Sequence, residues 1–221
     1  SFSDSLNYRI SDRTQQQTGS IIDTLLQLLQ LPQSRLTAPD VAGLLEVPSV
    51  MRRFGYSLDD LETMTHWIKE AEIRWEYSGT RKADYWQVPA EHQNTWQFGL
   101  KRLLLGFAMS PEQGPWENSL PLNISPAETE LLGTMCHLID KLDQCREQCT
   151  RPKTMPDWQS FILGLLDDFF IASGAEILEI TLVQELLETL TASTEVAHYT
   201  APLSYQLLVH ALGLMISFPE S

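Results

Sequence analysis

The stretch that decides the fold class is residues 154–170, which read TMPDWQSFILGLLDDFF. From Trp158 the apolar residues recur at +3, +4, +7, +8, +11 and +12, which is the spacing of one face of an α-helix. Thr154 suits the N-cap, and Pro156 suits the first turn, where a missing amide hydrogen costs no helical hydrogen bond. The stretch therefore predicts an amphipathic helix with one buried face.

Several other segments show the same periodicity. Residues 125–128 have the pattern of a capping box with proline at its first position, and they precede an apolar stripe from Leu131 to Leu142 that continues through Cys145 and Cys149. Ser57 is a second N-cap candidate, with Asp60 three residues later. Further helices are predicted at residues 21–31, 39–46, 57–73, 96–107, 177–190 and 203–216.

Little of the sequence favours β-structure. Only residues 6–11 and 75–88 have strand-like patterns, and a Ser-Gly-Thr sequence at 78–80 interrupts the second. Surface loops are predicted at residues 76–94 and 109–123, and the absence of an internal repeat excludes solenoid folds. We therefore predict an all-α, bundle-like domain over residues 1–221 with a short strand-like segment near its start.

The charge of the chain is acidic and unevenly distributed. Its 15 Lys and Arg against 29 Asp and Glu give a net charge of −14. Residues 1–110 contain 11 basic and 13 acidic residues, whereas residues 111–221 contain 4 and 16, and no Lys or Arg follows Lys153. The acidic half is either a solvated helix surface or a docking surface for a basic partner.

The composition also bears on the compartment. With 43% apolar and 20% charged residues the chain is neither disordered nor fibrous, and its longest apolar stretch, 207–218, is about half the length that a bilayer requires. Three cysteines favour reduced thiols and a cytoplasmic location. Because the sequence begins at Ser1 without a signal peptide, we expect a piece of a longer protein.

No motif for catalysis is recognisable. The sequence has no phosphate-binding P-loop, no G-x-S-x-G or H-E-x-x-H motif and no G-x-G spacing. Cys136 and Cys145 are nine residues apart and would lie on opposite sides of one helix, and no two histidines are four residues apart. We therefore expect no catalytic, cofactor-binding or metal-binding residues, and we read Cys145 and Cys149 as core residues.

The six tryptophans fall into two groups. Trp67, Trp96 and Trp158 fit buried helix faces, whereas Trp75, Trp86 and Trp116 lie at helix ends or in loops, as interface tryptophans often do. Basic residues close to the second group suit contact with a nucleic-acid backbone, although they are equally compatible with ordinary surface side chains.

Only the N-terminal half has enough positive charge to contact nucleic acid. The candidate residues for a surface that faces DNA or a partner are Arg9, Arg13, Arg52, Arg53, Arg74, Arg81, Lys82, Lys101 and Arg102, with Trp75, Trp86 and Trp116. On the helix after Asn94 the predicted buried face is Trp96, Leu100, Leu103, Leu104 and Phe107. Lys101 is then expected beside this face, and Arg102 is expected to point away from it.

Several short segments, taken in order along the chain, are similar to the sequences of one protein family. The longest is TWQFGLKRLLLGFAM at 95–109, and shorter ones are YRISDR at 8–13, LLQLPQSR at 28–35, and residues 40–48, 53–54, 73–75, 114, 116 and 120–121. Through these segments the chain resembles the RecC family, whose members are gamma subunits of exodeoxyribonuclease V (RecBCD).

The resemblance has implications for architecture. Members of the family resemble superfamily 1 helicases without ATPase motifs. Residues 1–20 then look like a junction from the motor-like 2A domain, and residues 21–221 look like the inserted helical 2B domain.

The same resemblance has implications for function. It implies a non-catalytic domain in a bacterial heterotrimer with RecB-like and RecD-like subunits, which carry the helicase and nuclease sites. The intact complex would bind double-stranded DNA ends, unwind and degrade them, and respond to chi, with no membrane, cofactor or small-molecule substrate. Two alternatives stay open: a free-standing acidic helical adaptor, and a helical enzyme with an unrecognised site.

Overall fold

Helices make up nearly all the regular structure of the residues described by the computed structural model, which are 20–108, 121–122 and 124–217. The α-helices are α1 Ile21–Leu29, α2 Ala38–Leu45, α3 Pro48–Phe54, α4 Leu58–Glu70, α5 Gly79–Trp86, α6 Trp96–Ala108, α7 Thr129–Thr150, α8 Met155–Phe169, α9 Glu176–Val196 and α10 Tyr205–Ser217. Within these residues there is no sheet, only an isolated bridge between Lys153 and Leu203. The predicted all-α fold class is confirmed.

Some predictions fall on residues that the structure does not describe. They are the strand-like segment at 6–11, nearly all of the junction at 1–20, most of the loop at 109–123, and the candidate contact residues Arg9, Arg13 and Trp116.

The chain divides into two compact units, which the sequence did not indicate. Of the described residues, unit 1 comprises 20–32, 47–53 and 145–217, and unit 2 comprises 33–46, 54–108, 121–122 and 124–144. A bilayer-spanning helix is absent from the described residues, since no window in them combines the necessary length with sufficient hydropathy.

Unit 1 is built on the packing of α9 against α8 and α1. Helix α1 begins where the Ser20 hydroxyl accepts a hydrogen bond from the Asp23 backbone N–H at 3.1 Å. Helix α8 begins at the predicted N-cap, Thr154, and its Trp158 side chain is completely buried. The indole N–H of Trp158 donates to the Leu203 carbonyl at 2.9 Å, which ties α8 to the segment before α10.

Unit 2 contains α6. Trp96 at the start of α6 is completely buried, and its indole N–H donates to the Leu36 carbonyl at 2.7 Å. Helix α4 begins with the predicted capping box of Ser57 and Asp60 and packs against α2. The capping box at 125–128 is also confirmed; there it forms a 3-10 turn, Pro126–Glu128, that precedes α7.

The largest difference between prediction and structure lies at residues 75–94, where strand-like and loop structure was expected. These residues contain helix α5, because the Ser78 hydroxyl accepts a hydrogen bond from the Arg81 N–H and caps a new helix. The Ser-Gly-Thr sequence that looked like an interruption is therefore a helix start. Sequence analysis also missed α3. Helix α1, predicted to extend to residue 31, ends at Leu29, before a 3-10 turn, Leu31–Gln33.

The buried face of α6 was predicted only in part. Leu104 and Phe107 are about half exposed, at 47% and 49%, whereas Gly99 and Gly106 are buried. A β-carbon on Gly106 would lie 1.3 Å from the Leu122 carbonyl oxygen, so the neighbouring backbone occupies the space that a side chain would need. The buried face therefore combines the predicted Leu100 and Leu103 with close backbone approach at the glycines.

Replacing Trp158 should strongly destabilise unit 1. We expect Trp158→Ala to lower the free energy of unfolding by about 3–5 kcal/mol, because it empties a fully buried site. Trp158→Phe keeps most of the ring and should cost about 1–2 kcal/mol through the missing indole hydrogen bond. Urea unfolding followed by circular dichroism measures both; equal losses would contradict the packing argument.

Two glycine substitutions should have opposite effects in unit 2. Gly106→Ala should lower the free energy of unfolding by about 1–3 kcal/mol, because its β-carbon collides with backbone. Gly133→Ala in α7 is the matched control: it meets no atom within 4 Å and should raise stability by about 0.5–1 kcal/mol. Thermal and urea unfolding would report both, and a neutral Gly106→Ala would disprove the close approach.

Candidate nucleic-acid interface

The arginines of α3 hold the end of α8. The Arg52 Nε donates to the Ile171 carbonyl at 2.8 Å and its guanidinium pairs with Glu176, while the Arg53 Nε donates to the Asp168 carbonyl at 3.2 Å. Carbonyls at a helix C-terminus lack helical donors, and positive charge is favourable there. Both arginines therefore have a structural role within unit 1 that sequence analysis did not identify.

Other candidate cations are engaged inside unit 2. Arg102 does not point away from the core as predicted; it is half-buried and its Nη1 donates to the Ala71 carbonyl at 3.2 Å, just after α4. Arg81 pairs with Asp143 at 2.9 Å. Lys82 is only 4% exposed and its ammonium donates to the Gln93 carbonyl at 2.9 Å. Burial lowers the pKa of Lys82, and the carboxylates of Glu91 and Glu76 oppose that shift.

Besides Arg52 and Arg53, two of the predicted basic residues that the structure describes, Arg74 and Lys101, are exposed. The backbone of Arg74 is fixed, since its N–H donates to the Asn94 carbonyl and its own carbonyl accepts the Ala38 N–H at 2.8 Å. Lys101 borders a groove of about 460 Å³ along α6 and α7. These two residues keep a surface position from which a partner or a nucleic acid could be contacted.

A cluster that the sequence did not reveal surrounds Trp75 and Trp86. We call Arg35, Trp75, Glu76, Lys82 and Trp86 the arginine–tryptophan cluster. The Arg35 guanidinium carbon lies 4.9 Å from the Trp86 ring centroid and 5.7 Å from that of Trp75, and the Lys82 ammonium lies 4.8 Å from the Trp75 centroid. Cations at these distances are attracted by the indole faces.

A buried carboxylate fixes the geometry of the cluster. The Glu76 side chain is fully buried; its Oε2 accepts from the Trp86 indole N–H at 2.7 Å, and its Oε1 accepts from the Tyr77 N–H at 2.8 Å. The Glu76 backbone N–H donates to the Arg35 carbonyl at 2.8 Å. Since Arg35 is about forty residues away in sequence, no local pattern could have placed it over the indoles.

The groove along α6 and α7 contains ionisable groups but no activated nucleophile. The Tyr77 hydroxyl donates to Asp140 at 2.9 Å, and burial together with this bond holds the pKa of Tyr77 well above its ordinary value. Burial, and then the Asp140 charge, raise the pKa of the half-buried Cys136 to about 11. No group of three potential metal ligands occurs in the described residues.

The Cys136 thiol should therefore react slowly. At pH 8 we expect alkylation by iodoacetamide about ten-fold slower than for a small thiol of pKa 9.0, since the lower thiolate fraction outweighs the greater nucleophilicity. The rate should rise as pH approaches 11. Mass spectrometry of the labelled chain would measure it, with the urea-unfolded chain as control; equal rates in the two states would contradict the prediction.

Comparison with known proteins identifies the chain's relatives. A protein-family model described as "RecBCD enzyme subunit RecC fourth domain" matches residues 18–217. Among curated proteins, the chain is 32% identical to RecBCD enzyme subunit RecC of Escherichia coli over 202 residues and 30% identical to that of Haemophilus influenzae over 210 residues, 90% and 95% of this chain. It is 34% identical to that of Mycolicibacterium smegmatis over 169 residues, 76% of this chain.

These matches concern one part of a larger protein. The chain spans 18%, 18% and 15% of the lengths of the three relatives. The family model covers all of the described residues, including both units and the arginine–tryptophan cluster. The chain therefore belongs to the RecC family and corresponds to the fourth domain of that subunit.

Proposed function

We propose that this chain is a non-catalytic scaffold domain of the gamma subunit of exodeoxyribonuclease V. In this role it supports ATP-dependent unwinding and degradation of double-stranded DNA ends and chi-regulated recombinational repair. The observation that carries the proposal is the family match over residues 18–217, together with relatives that are named as subunits of the RecBCD enzyme.

The proposal includes the partners and the surroundings. RecB-like and RecD-like subunits complete the heterotrimer, and duplex ends reach the domain only through the intact complex. The bacterial cytoplasm is the compartment we propose, in agreement with the bacterial relatives and with three cysteines that are all free thiols. We also propose that the domain is equivalent to the inserted helical 2B domain of superfamily 1 helicases, which agrees with the helical structure of the described residues.

A non-catalytic role agrees with the chemistry of the described residues. Nucleotide or phosphodiester hydrolysis generally requires carboxylates that converge on a metal ion, and no such group is found among them. The carboxylate of Glu76 is fully buried and accepts hydrogen bonds from Trp86 and Tyr77, so it is committed to the fold. We propose that hydrolysis takes place in the other subunits.

A scaffold role agrees with the surface of unit 1. Ile177 and Leu178 at the start of α9 are 54% and 47% exposed, and Leu207 and Leu214 on α10 are about half exposed. Only Val183 and Leu187 of α9 are buried. Exposed apolar residues on helices that contain no Lys or Arg suit a partner surface that combines apolar and basic side chains.

The same surface favours the second candidate, a free-standing acidic helical adaptor. Such an adaptor would use its acidic and apolar face to bind one basic protein. The two functions make different predictions for the assembly of RecBCD. Disrupting the surface of an adaptor leaves assembly unaffected, whereas disrupting the surface of a scaffold domain impairs it.

Charge introduced at the start of α9 should separate these functions. In the full-length subunit, we expect Ile177→Glu with Leu178→Glu to reduce recovery of the RecB-like and RecD-like subunits at least ten-fold, because carboxylates would be buried at the interface. ATP-dependent degradation of linear duplex DNA should fall in parallel. Leu58→Glu, at the exposed start of α4, is the matched control.

The outcomes of this experiment distinguish a scaffold from an adaptor and test the non-catalytic role. Parallel loss of assembly and degradation would support the scaffold. Normal assembly without degradation would contradict a non-catalytic role. Unchanged assembly and degradation would contradict the scaffold and favour the adaptor. The adaptor would then be supported if the wild-type chain, but not the variant, binds a basic protein in a pull-down experiment.

A further inference from the structure

An open groove runs between α6 and α7 in unit 2. Its volume is about 460 Å³, and its α6 side is a stripe of exposed residues, Gln97, Lys101, Leu104 and Ala108. Their spacing of four, three and four residues places them on one face of the helix. The stripe spans about three turns, or about 17 Å, which is the length of a helix of about eleven residues.

The lining of this α6–α7 groove is largely apolar. Leu104 is 47% exposed, although Leu100 and Leu103 of the same helix are buried. Leu105 and Cys136, both half-buried, also line the groove. An exposed leucine in a concave, apolar surface is suited to burial by apolar side chains of another protein element.

The two charged residues of the described lining lie on opposite sides, with Lys101 on α6 and Asp140 on α7. The Tyr77 hydroxyl donates to Asp140 at 2.9 Å, and the Gln97 N–H donates to the Tyr77 carbonyl at 2.8 Å, so Tyr77 joins the start of α6 to Asp140. Within the described residues the Asp140 carboxylate has no ion pair. An element that covered this carboxylate without supplying a cation would bury an unpaired charge, which is costly.

We propose that the α6–α7 groove is a docking site for an amphipathic α-helix of a partner subunit, whose apolar residues lie against Leu104 and Ala108 and whose basic residue faces Asp140. The inference deepens the proposed scaffold function, on which it rests, by naming a contact surface in unit 2. This surface is separate from the exposed apolar residues of α9 and α10, which belong to unit 1.

The geometry favours a helix of another subunit over other occupants. Helices pack by placing ridges of side chains into grooves, and a partner helix with apolar residues three and four positions apart matches the stripe on α6. An extended strand needs unpaired backbone groups, whereas α6 and α7 use theirs within the helices. Charged residues around an apolar centre are typical of contacts between subunits.

Nucleic acid is a poor occupant for the same groove. Among the described residues that line it, Lys101 is balanced by Asp140, so the positive charge that phosphates require is missing.

Matched substitutions on α6 test the docking site in the full-length subunit. Leu104→Glu places a carboxylate in the groove, whereas Phe107→Glu places one at a residue of equal exposure, 49%, that does not line it. With tagged subunit, we expect Leu104→Glu to lower recovery of a RecB-like or RecD-like subunit at least ten-fold and Phe107→Glu to leave it close to wild type. Asp140→Lys should lower recovery as well, because it places like charges together.

The fold should tolerate these changes, since the replaced side chains are exposed. Circular dichroism of each variant should show the helix content of the wild type.

The Cys136 thiol gives a second readout without any substitution. A docked helix would cover it, so iodoacetamide should alkylate Cys136 at least ten-fold more slowly in the assembled complex than in the purified full-length subunit. Mass spectrometry of the peptide that contains Cys136 measures both rates, and glutathione added to both samples controls for the activity of the reagent.

Two results would overturn the docking site. One is equal recovery of the partner subunits with Leu104→Glu and Phe107→Glu. The other is the same rate of Cys136 alkylation in the subunit and in the complex, which would show that no partner subunit covers the groove. Loss of assembly by Ile177→Glu with Leu178→Glu would in either case leave the scaffold proposal supported, so the two proposals fail independently.

Discussion

Glu76 connects several segments of unit 2 through hydrogen bonds of its backbone and of its buried carboxylate. Its backbone N–H donates to Arg35, its carbonyl accepts from Trp96, and its two carboxylate oxygens accept from Tyr77 and Trp86. A buried charge without such partners costs several kcal/mol, so these hydrogen bonds must form together. They place α5, the start of α6 and the segment around Arg35 relative to one another, and they orient the arginine–tryptophan cluster.

Several basic residues of this chain bind backbone carbonyls. Arg52 and Arg53 bind carbonyls at the end of α8, Arg102 binds one after α4, and Lys82 binds that of Gln93. Cations used in this way stabilise helix ends and loops, which leaves few of them for a ligand. Arg35 and Arg74 differ from these residues, because they are exposed and their side chains have no hydrogen bond or ion pair within the described residues.

The predictions from sequence succeeded where a pattern is local. The caps at Ser57, Ser125 and Thr154 and the buried tryptophans of α6 and α8 could be read directly, because a cap and a helical face need only residues within a few turns. The prediction failed at α5, where the capping serine was read as a break between strand-like residues. The prediction also assigned Leu104 to the core. The sequence did not show that Gly106 lies there instead, because its role depends on a backbone segment that is distant in sequence.

The sequence alone determined an all-helical fold and a RecC resemblance, since both rest on the order and spacing of neighbouring residues. Only the tertiary structure decided which cations face the solvent, because a long side chain can either extend into water or fold back onto a carbonyl at little difference in energy. The position of Arg35 over Trp86 likewise required two backbone segments to pair across about forty residues. Long-range hydrogen bonds of this kind leave no periodic trace in a sequence.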